Sequence, residues 1–354
     1  MQQGSLNQSG VAQAAGAAAA TPRSSGDRIR GYLFSYALVI PAVVILVTFY
    51  VYPIFYGFFI SLHRWAVRPL EYIGLRNYER ILTDDAFWNS MATTLWYVVG
   101  TVPLGIFISL FLAIMLFQPI AGRTFYRVML FLPYITPPIA IGIVWAWMYE
   151  QDRGFINQLV GLFGVGKQRW LFEPRGIFEL AGSSIGLTLP GWAHGPAMPL
   201  VSVMIFALWT AIGFDTVVLL AGLSNVSNDV IEAAKIDGAN QWQIATRVIA
   251  PLLRPTILFL SVVSTLRAFQ SFNAVVAILG DPPPVGGKVI TYLIYEQFYK
   301  SVGRVGYGAA MGVFLFVILF LITLIQLRLG DERRDDQPAR KNTGRGLRGL
   351  LRGG

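Results

Sequence analysis

Six long runs of apolar residues constrain this chain more than any other feature of its sequence. A helix needs about 20 mostly apolar residues to cross the hydrocarbon core of a bilayer. In lipid every backbone N–H and C=O must be hydrogen-bonded within the protein, so runs of this length predict transmembrane helices. The six predicted spans cover residues 31–62, 91–117, 125–149, 200–223, 256–279 and 307–327.

The composition agrees with a membrane protein and excludes several kinds of site. Charged residues form 13% of the chain, against about 25% in soluble domains. The chain has no cysteine and only two histidines, His63 and His194, far apart in the sequence. We therefore expect no disulfide, no metal site and no catalytic residue. The net charge of +9 comes without a basic patch interleaved with aromatic residues, so we expect anionic lipid, and not nucleic acid, as a partner.

Basic residues set the expected orientation. An even number of spans places both termini on one side of the membrane, and Lys and Arg concentrate in the tails and in the loops 118–124 and 224–255. Because such segments favour the cytoplasm, we expect a multi-pass membrane protein with both termini cytoplasmic. The predicted regions are a disordered tail (1–30), a transmembrane domain (31–330) with an extracytoplasmic cap (150–199), and a disordered basic tail (331–354).

The loop 224–255, which we call the knob, has the start and stop signals of two well-formed helices. Gly238 ends the first helix, since glycine tolerates a left-handed cap. Asn240 then caps the second helix, with Gln243 three residues on as a loose capping box, and Pro251 and Pro255 end it and lead into the fifth span. A solvated loop does not need this construction. We therefore expect the knob to dock on a partner.

The knob also carries a specific sequence pattern. The stretch "EAAKIDGA", followed by a proline twelve residues after its last alanine, resembles the EAA loop of ABC-importer permeases. The residues that match this loop are Glu232, Ala233, Ala234, Asp237, Gly238, Ala239 and Pro251. Ala245 or Thr246 stands where many members carry Phe. The segments "YIGLRNYERILTDDAFWNSMATTLWY" and "AFQSFNAVVAIL" resemble the carbohydrate-uptake branch, which includes the maltose and glycerol-3-phosphate permeases, so the resemblance covers residues 31–330.

This resemblance implies a fold, partners and a role for the matching residues. The fold is the type I ABC-importer permease fold: all-α, with six transmembrane helices and a cytoplasmic EAA helix–turn–helix. Such a permease lies in the bacterial inner membrane and pairs with a second homologous permease, as a heterodimer. Its EAA loop docks on a cytoplasmic ABC ATPase dimer, and an extracytoplasmic binding protein delivers the solute.

The resemblance also implies the chemistry of transport. The seven matching residues couple the permease to the ATPase, and Glu232 offers a carboxylate to an arginine of that ATPase. The implied solute is a sugar, a polyol or a glycerol phosphate. ATP is bound by the ATPase, so no cofactor and no enzymatic activity are expected of this chain.

Polar residues inside the fifth predicted span are candidates for the substrate path. Arg267, Gln270 and Asn273 share one helical face in an otherwise apolar segment. An amide facing lipid is left unsatisfied, so this stripe faces protein or water. Either the amides line a translocation cavity and bond sugar hydroxyls, or they join neighbouring helices by hydrogen bonds. Arg267 either serves an anionic substrate or pairs with Asp215 of the fourth span.

Three other patterns complete the interpretation. "GLFGVGKQ" nearly matches a phosphate-binding loop, but Gln168 replaces the Ser or Thr that holds Mg²⁺, so we expect no nucleotide there.

The alternative function, an ion-coupled secondary transporter, requires paired intramembrane carboxylates and inverted repeats, and Asp215 is the one candidate carboxylate in the sequence. Trp145, Trp147 and Tyr149 at one end of the third span predict an interfacial aromatic belt.

Overall fold

The computed structural model describes residues 25–66 and 68–335, and these are mostly helical. In chain order the α-helices are α1 Ser25–Leu46, α2 Tyr52–Ser61, α3 Arg76–Thr83, α4 Asp85–Phe117, α5 Arg123–Ile135, α6 Pro138–Met148, α7 Phe155–Gly161, α8 Ile177–Ser184, α9 Met198–Leu223, α10 Asn228–Ile236, α11 Gln241–Gln243, α12 Ala250–Leu252, α13 Arg254–Phe269, α14 Phe272–Leu279, α15 Ile290–Tyr295 and α16 Val305–Asp335. The predicted all-α class is confirmed, with one short antiparallel hairpin added, β1 His63–Trp65 and β2 Pro69–Tyr72.

Three wider, π-helical turns interrupt this helical succession. They cover Val47–Val51, Ile244–Ile249 and Glu296–Lys300. Turns of this kind are rare and are often found at functional positions in helices. The sequence analysis predicted none of them, because a π turn depends on how one extra residue is accommodated by the surrounding packing.

The predicted tails are only partly within the described residues. Helix α1 begins at Ser25, inside the segment 1–30 predicted as a disordered tail, and residues 1–24 lie outside the described residues. Helix α16 continues to Asp335, inside the predicted tail 331–354, and residues 336–354 lie outside. A helix extends readily through Glu and Arg, which have good helix propensity, and this accounts for the longer α16.

The described residues divide into two compact units, one up to residue 59 and the other from residue 60 onwards. In the first unit, α1 and the beginning of α2 form most of the first membrane span, which runs over Phe34–Ser61. Its large apolar side chains are exposed, as expected of a helix surrounded by lipid. The π turn lies immediately before Pro53, which has no N–H for the carbonyl of the preceding turn.

Four helices of the described residues are long and apolar enough to cross a membrane, and two bent helix pairs raise the number to six if each pair is one span. The predicted continuous span 125–149 is wrong in one respect. Helices α5 and α6 cover it, but they meet at an angle of 97°. The break falls at Thr136–Pro137, where the proline ring disfavours helical backbone at the residue before it.

The second unit is built around the long helices α4 and α9, which pack against each other. Helix α9 also packs on α5, and α14 packs on α6. Small residues make these contacts close. A Cβ at Gly213 of α9 would lie 1.8 Å from the carbonyl oxygen of Leu130, so only glycine fits there. Small residues at helix interfaces are the usual means of close packing in membranes.

The predicted cap, residues 150–199, contains α7 and α8 and is organised around a buried amide. The Asn157 side chain accepts hydrogen bonds from Trp170 Nε1 at 2.8 Å and Gln168 N at 3.1 Å, and it donates to the carbonyl of Gln151 at 2.9 Å. Lys167 of the glycine-rich stretch pairs with Asp152 at 3.0 Å. The end of the stretch formed by Lys167 and Gln168 is therefore bonded to the cap.

The aromatic end of the third span differs from the predicted interfacial belt. Tyr149 is fully buried and donates a hydrogen bond of 2.9 Å to the Ser202 carbonyl. Trp145 packs against Phe206 of α9, with ring centroids 5.8 Å apart. Trp147 alone of the three aromatic residues is mostly exposed. Two of the three rings therefore join the bent third span to α9.

Candidate coupling and translocation sites

The two helices of the knob form as predicted, and the second is capped at the expected residues, whereas the first is capped by Ser227, which was not predicted. The Ser227 hydroxyl accepts a hydrogen bond from Asp229 N at 3.2 Å and starts α10. Gly238 follows α10 with φ +82°, the left-handed conformation that glycine tolerates. Asn240 and Gln243 form a complete capping box, with hydrogen bonds of 2.9 and 2.8 Å. The turn between the helices is thus fixed by local chemistry.

The second helix of the knob leads into the fifth span through a π turn and a bend. After α11, the amide of Ala250 donates to the carbonyl of Ala245, five residues earlier. Pro251 lies in the last turn of this second helix, which ends at Leu252 as predicted, and Pro255 lies in the first turn of α13. The segment Gln241–Leu252 meets α13 at 72°. Leu253 at this bend is buried.

The inner side of the knob is anchored to the ends of α4 and α9. Ile244 and Ile249 are buried in one apolar cluster with Leu116 and Leu223, and Ala234 packs against it. Ala239 packs against the same cluster. These two alanines of the "EAAKIDGA" stretch therefore contact this chain itself.

The outer side of the knob carries exposed apolar and acidic groups. Ile236 is 86% exposed and Trp242 66% exposed. Glu232, Ala233 and Asp237 are exposed beside them. Within the described part of the chain Glu232 forms no ion pair. Large apolar side chains exposed next to a carboxylate indicate a docking surface. The sequence analysis did not single out Ile236 or Trp242, although their spacing on short, capped helices is the signal by which they could be found.

The three predicted substrate-path residues line one cavity. Its volume is about 280 Å³, and Arg267, Gln270 and Asn273 are all in its wall. Helix α13 ends at Phe269 and α14 begins at Phe272, so the break between them exposes Gln270 to the cavity. Ser271 also lines it, and its hydroxyl has no hydrogen-bond partner among the described residues.

The structure pairs Arg267 with Asp215, one of the two roles considered for this arginine. Its Nη2 lies 2.9 Å from Asp215 Oδ1 and 3.1 Å from the Ser264 hydroxyl, and its guanidinium stands over the Phe214 ring. Asp215 is buried, and Arg267 is one-third exposed to the cavity. The pair neutralises a charge that would be very costly to bury alone. The cavity wall therefore carries donors but no net charge from this pair.

Amides at the edge of the fifth span differ in their surroundings. Gln326 of α16 donates to the Thr265 hydroxyl at 3.0 Å and joins α16 to α13. Gln270 and Asn273 are exposed. These two amides thus face open space, whereas Gln326 joins helices. Among the described residues, no group of three His, Asp or Glu is placed to hold a metal ion.

Known proteins of similar sequence are transport permeases. A 28% identical relative over 302 residues, covering 85% of this chain and 94% of its own length, is the trehalose/maltose transport system permease protein MalF of Thermococcus litoralis. The sn-glycerol-3-phosphate transport system permease protein UgpA of Agrobacterium fabrum is 27% identical over 304 residues, which are 85% of this chain and 96% of the relative.

The fold is also found in solved structures. A bacterial alginate ABC transporter, in complex with an alginate pentasaccharide-bound periplasmic protein, contains a chain with a TM-score of 0.67 at 22% sequence identity, covering 86% of this chain and 96% of that chain. This likeness confirms the predicted permease fold. The family model of the binding-protein-dependent transport system inner membrane component matches residues 102–335. This chain therefore belongs to that family and is a membrane permease subunit of an ABC importer.

Proposed function

We propose that this permease carries a neutral saccharide, delivered by a binding protein, through the cavity beside α13 and α14. The observation that carries the proposal is one continuous segment: the fifth span joins the exposed knob at one end to the polar cavity further along. Movement of the knob would therefore be transmitted to the residues that line the path. Membership of this family argues against the alternative function, an ion-coupled secondary transporter.

The cavity chemistry supports a neutral solute with many hydroxyls. Gln270 and Asn273 each offer an amide donor and acceptor, and Ser271 offers a hydroxyl. The charge of Arg267 is balanced by Asp215. The names of the relatives include trehalose/maltose, lactose and arabinooligosaccharide transport, which supports the same class. An anionic glycerol phosphate is the competing solute, favoured by the Nε of Arg267, which has no partner among the described residues.

The remaining parts of the proposal concern partners and orientation. The knob docks on a cytoplasmic ABC ATPase dimer through Ile236, Trp242 and the exposed carboxylate of Glu232. A second, homologous permease completes a heterodimer, and both termini lie in the cytoplasm. Hydrolysis of ATP occurs in the ATPase, so this chain is not an enzyme. The bend between α12 and α13 is the point at which closure of the ATPase would tilt the fifth span.

Substitution of the two cavity amides tests the substrate path. Gln270→Ala and Asn273→Ala should each reduce uptake of maltose or trehalose by about tenfold, because one hydrogen bond to a polar solute is worth about 1.4 kcal/mol in the transport path. The measurement is ATP-driven uptake into proteoliposomes that contain the assembled transporter and its binding protein, normalised to assembled complex.

The matched control is Gln326→Ala, which removes an amide that joins helices. We expect it to lower the melting temperature of the complex in detergent and to leave the substrate profile unchanged. If Asn273→Ala and Gln270→Ala also lower the melting temperature and leave the substrate profile unchanged, these amides join helices and do not contact the solute. A wild-type complex that takes up glycerol phosphate and no saccharide would overturn the proposed class of solute.

A further inference from the structure

A second concave site follows the fifth span, on the side of the membrane opposite the knob. Six residues line it, and we call it the aromatic groove: Phe272, Thr291, Ile294, Tyr295, Phe298 and Tyr299. Its volume is about 300 Å³. It shares no lining residue with the translocation cavity. The two sites are nevertheless adjacent in sequence, because Phe272 lines the groove and Asn273 lines the cavity.

The backbone arranges the rings of the groove in a ladder. Helix α15 continues into the π turn Glu296–Lys300. Tyr295 and Tyr299 lie with ring centroids 5.1 Å apart, and Phe272 lies 4.9 Å from Tyr295. Tyr299 is 79% exposed at the open end of this ladder. An aromatic ring that is held in one orientation by its neighbours, with its face exposed, is a typical recognition surface for a ligand with an apolar face.

The charged groups at the rim of the groove are in ion pairs. One polar group that lines the groove is the exception and has no partner in the described part of the chain. Lys288 pairs with Glu296 at 2.8 Å, and Lys300 pairs with Asp281 and contacts the Tyr292 hydroxyl at 3.0 Å. The hydrogen bonds from Lys300 and Tyr292 hold the pKa of Asp281 below its usual value, so this rim stays paired at neutral pH. The exception is Thr291, whose buried hydroxyl has no partner among the described residues.

These features match one kind of ligand better than others. A sugar ring has an apolar C–H face that packs on an aromatic ring, and hydroxyls at its edge that bond to polar groups. An anion has no unpaired cation here, since the cations at the rim, Lys288 and Lys300, are both in ion pairs. An acyl chain would leave the Thr291 hydroxyl unsatisfied, at a cost in free energy.

We propose that the aromatic groove is a second saccharide subsite, in which a neutral sugar ring packs on Tyr299 and Tyr295 and bonds to the Thr291 hydroxyl. The groove would hold the solute between its release from the binding protein and its entry into the cavity, whose lining residues Ser271 and Asn273 flank Phe272 in the sequence. This inference rests on the proposed saccharide substrate and adds a place of contact outside the translocation cavity.

The experiment compares uptake of maltose, trehalose and maltotriose by proteoliposomes containing the assembled transporter and its binding protein. Tyr299→Ala should reduce uptake per assembled complex by about three- to tenfold, the effect of losing one aromatic contact. Thr291→Val should also reduce it, and Thr291→Ser should restore it. The control is Tyr72→Ala on β2, an exposed tyrosine outside the groove, which should leave uptake unchanged.

A direct binding measurement accompanies uptake. Tyr299→Trp in the assembled complex should show a saturable change of tryptophan fluorescence on addition of maltotriose, measured as the difference from the parent complex. If the wild-type complex takes up a saccharide and Tyr299→Ala takes it up equally well, the groove is not a saccharide subsite. The proposed saccharide substrate is not affected by that result. A wild-type complex that takes up none of the three probes overturns the saccharide substrate and the groove together. If Tyr299→Ala instead lowers the yield of assembled complex, the groove is a subunit contact and the proposal is wrong.

Discussion

At the scale of single residues, Arg267 and Asp215 show how a charged pair is kept inside an apolar protein. Asp215 is buried on α9, and Arg267 reaches it from α13 while remaining partly exposed to the cavity. Removing one member of such a pair leaves an uncompensated buried charge, which costs more than the pair contributes. The pair therefore joins α9 to α13 and adds no net charge to the wall of the cavity.

Glu232 is the residue whose role is easiest to separate from folding. It is exposed, so its replacement leaves the packing of the knob intact. We expect Glu232→Ala to weaken copurification of the ATPase or to uncouple hydrolysis from uptake, because loss of one partner of an interfacial ion pair costs about 2–5 kcal/mol. The measurement is ATPase recovered per permease, together with the ratio of solute imported to ATP hydrolysed.

Asp229→Ala is the control for Glu232, since Asp229 is an exposed carboxylate in the first turn of the same helix. Only Asp229 lies in the first turn, where a carboxylate interacts favourably with the helix dipole, so a dipole effect would appear more strongly in Asp229→Ala than in Glu232→Ala. Unchanged assembly and unchanged transport in Glu232→Ala would show that its carboxylate acts on the helix alone.

At the scale of elements, the knob and the fifth span form one bent unit. The turn at Gly238 fixes the two knob helices, and the π turn with the 72° bend joins them to α13. The buried side of this unit contacts the ends of α4 and α9, so the knob is packed against these two helices. A rigid element on a bend is suited to transmit movement from a docked partner.

Gly238→Val tests this element. No atom lies within 4 Å of a Cβ added at Gly238, so the cost is backbone strain and not a clash. The left-handed conformation costs about 1–2 kcal/mol for residues other than glycine. We expect the variant to insert into the membrane and to lose ATP-driven uptake, as measured in proteoliposomes.

Gly303→Val is the matched control. Gly303 also has a positive φ, +75°, and open space around it, but it lies in the loop between α15 and α16, on the side opposite the knob. Similar strain there should leave coupling unchanged. Normal uptake by Gly238→Val would contradict the coupling role of the knob.

At the scale of the whole molecule, the absence of cysteine offers a direct test of orientation. Phe163 in the cap is 81% exposed, and Asn225 at the beginning of the knob is exposed. If the knob is cytoplasmic, Phe163→Cys should react with a membrane-impermeant maleimide in right-side-out vesicles. Asn225→Cys should react only after permeabilisation.

The labelling result is read by mass shift on a gel. Because the parent chain contains no thiol, any shift of this chain comes from the introduced residue, and the parent serves as the blank. Labelling of Asn225→Cys in sealed vesicles would place the knob outside and contradict both the orientation and the docking on a cytoplasmic ATPase.

The sequence by itself determined the membrane class, the six apolar segments and the construction of the knob. These rest on local chemistry: the length of apolar runs, glycine at a left-handed turn, and the reciprocal bonds of Asn240 and Gln243. The seven-residue pattern in the knob also led to the family that the comparisons confirm. Such features require only near neighbours in the chain, so they can be predicted without the fold.

Tertiary structure alone decided the properties that depend on distant parts of the chain. It paired Arg267 with Asp215, 52 residues away in sequence, which is one of the two roles that the sequence left open. It buried Tyr149 against α9, where the sequence predicted an interfacial ring. It also brought the rings of Phe272 and Tyr295 together across a loop. The physical reason is the same in each case: helix packing determines which side chains meet, and an apolar sequence pattern in a membrane protein does not specify which face of a helix meets lipid.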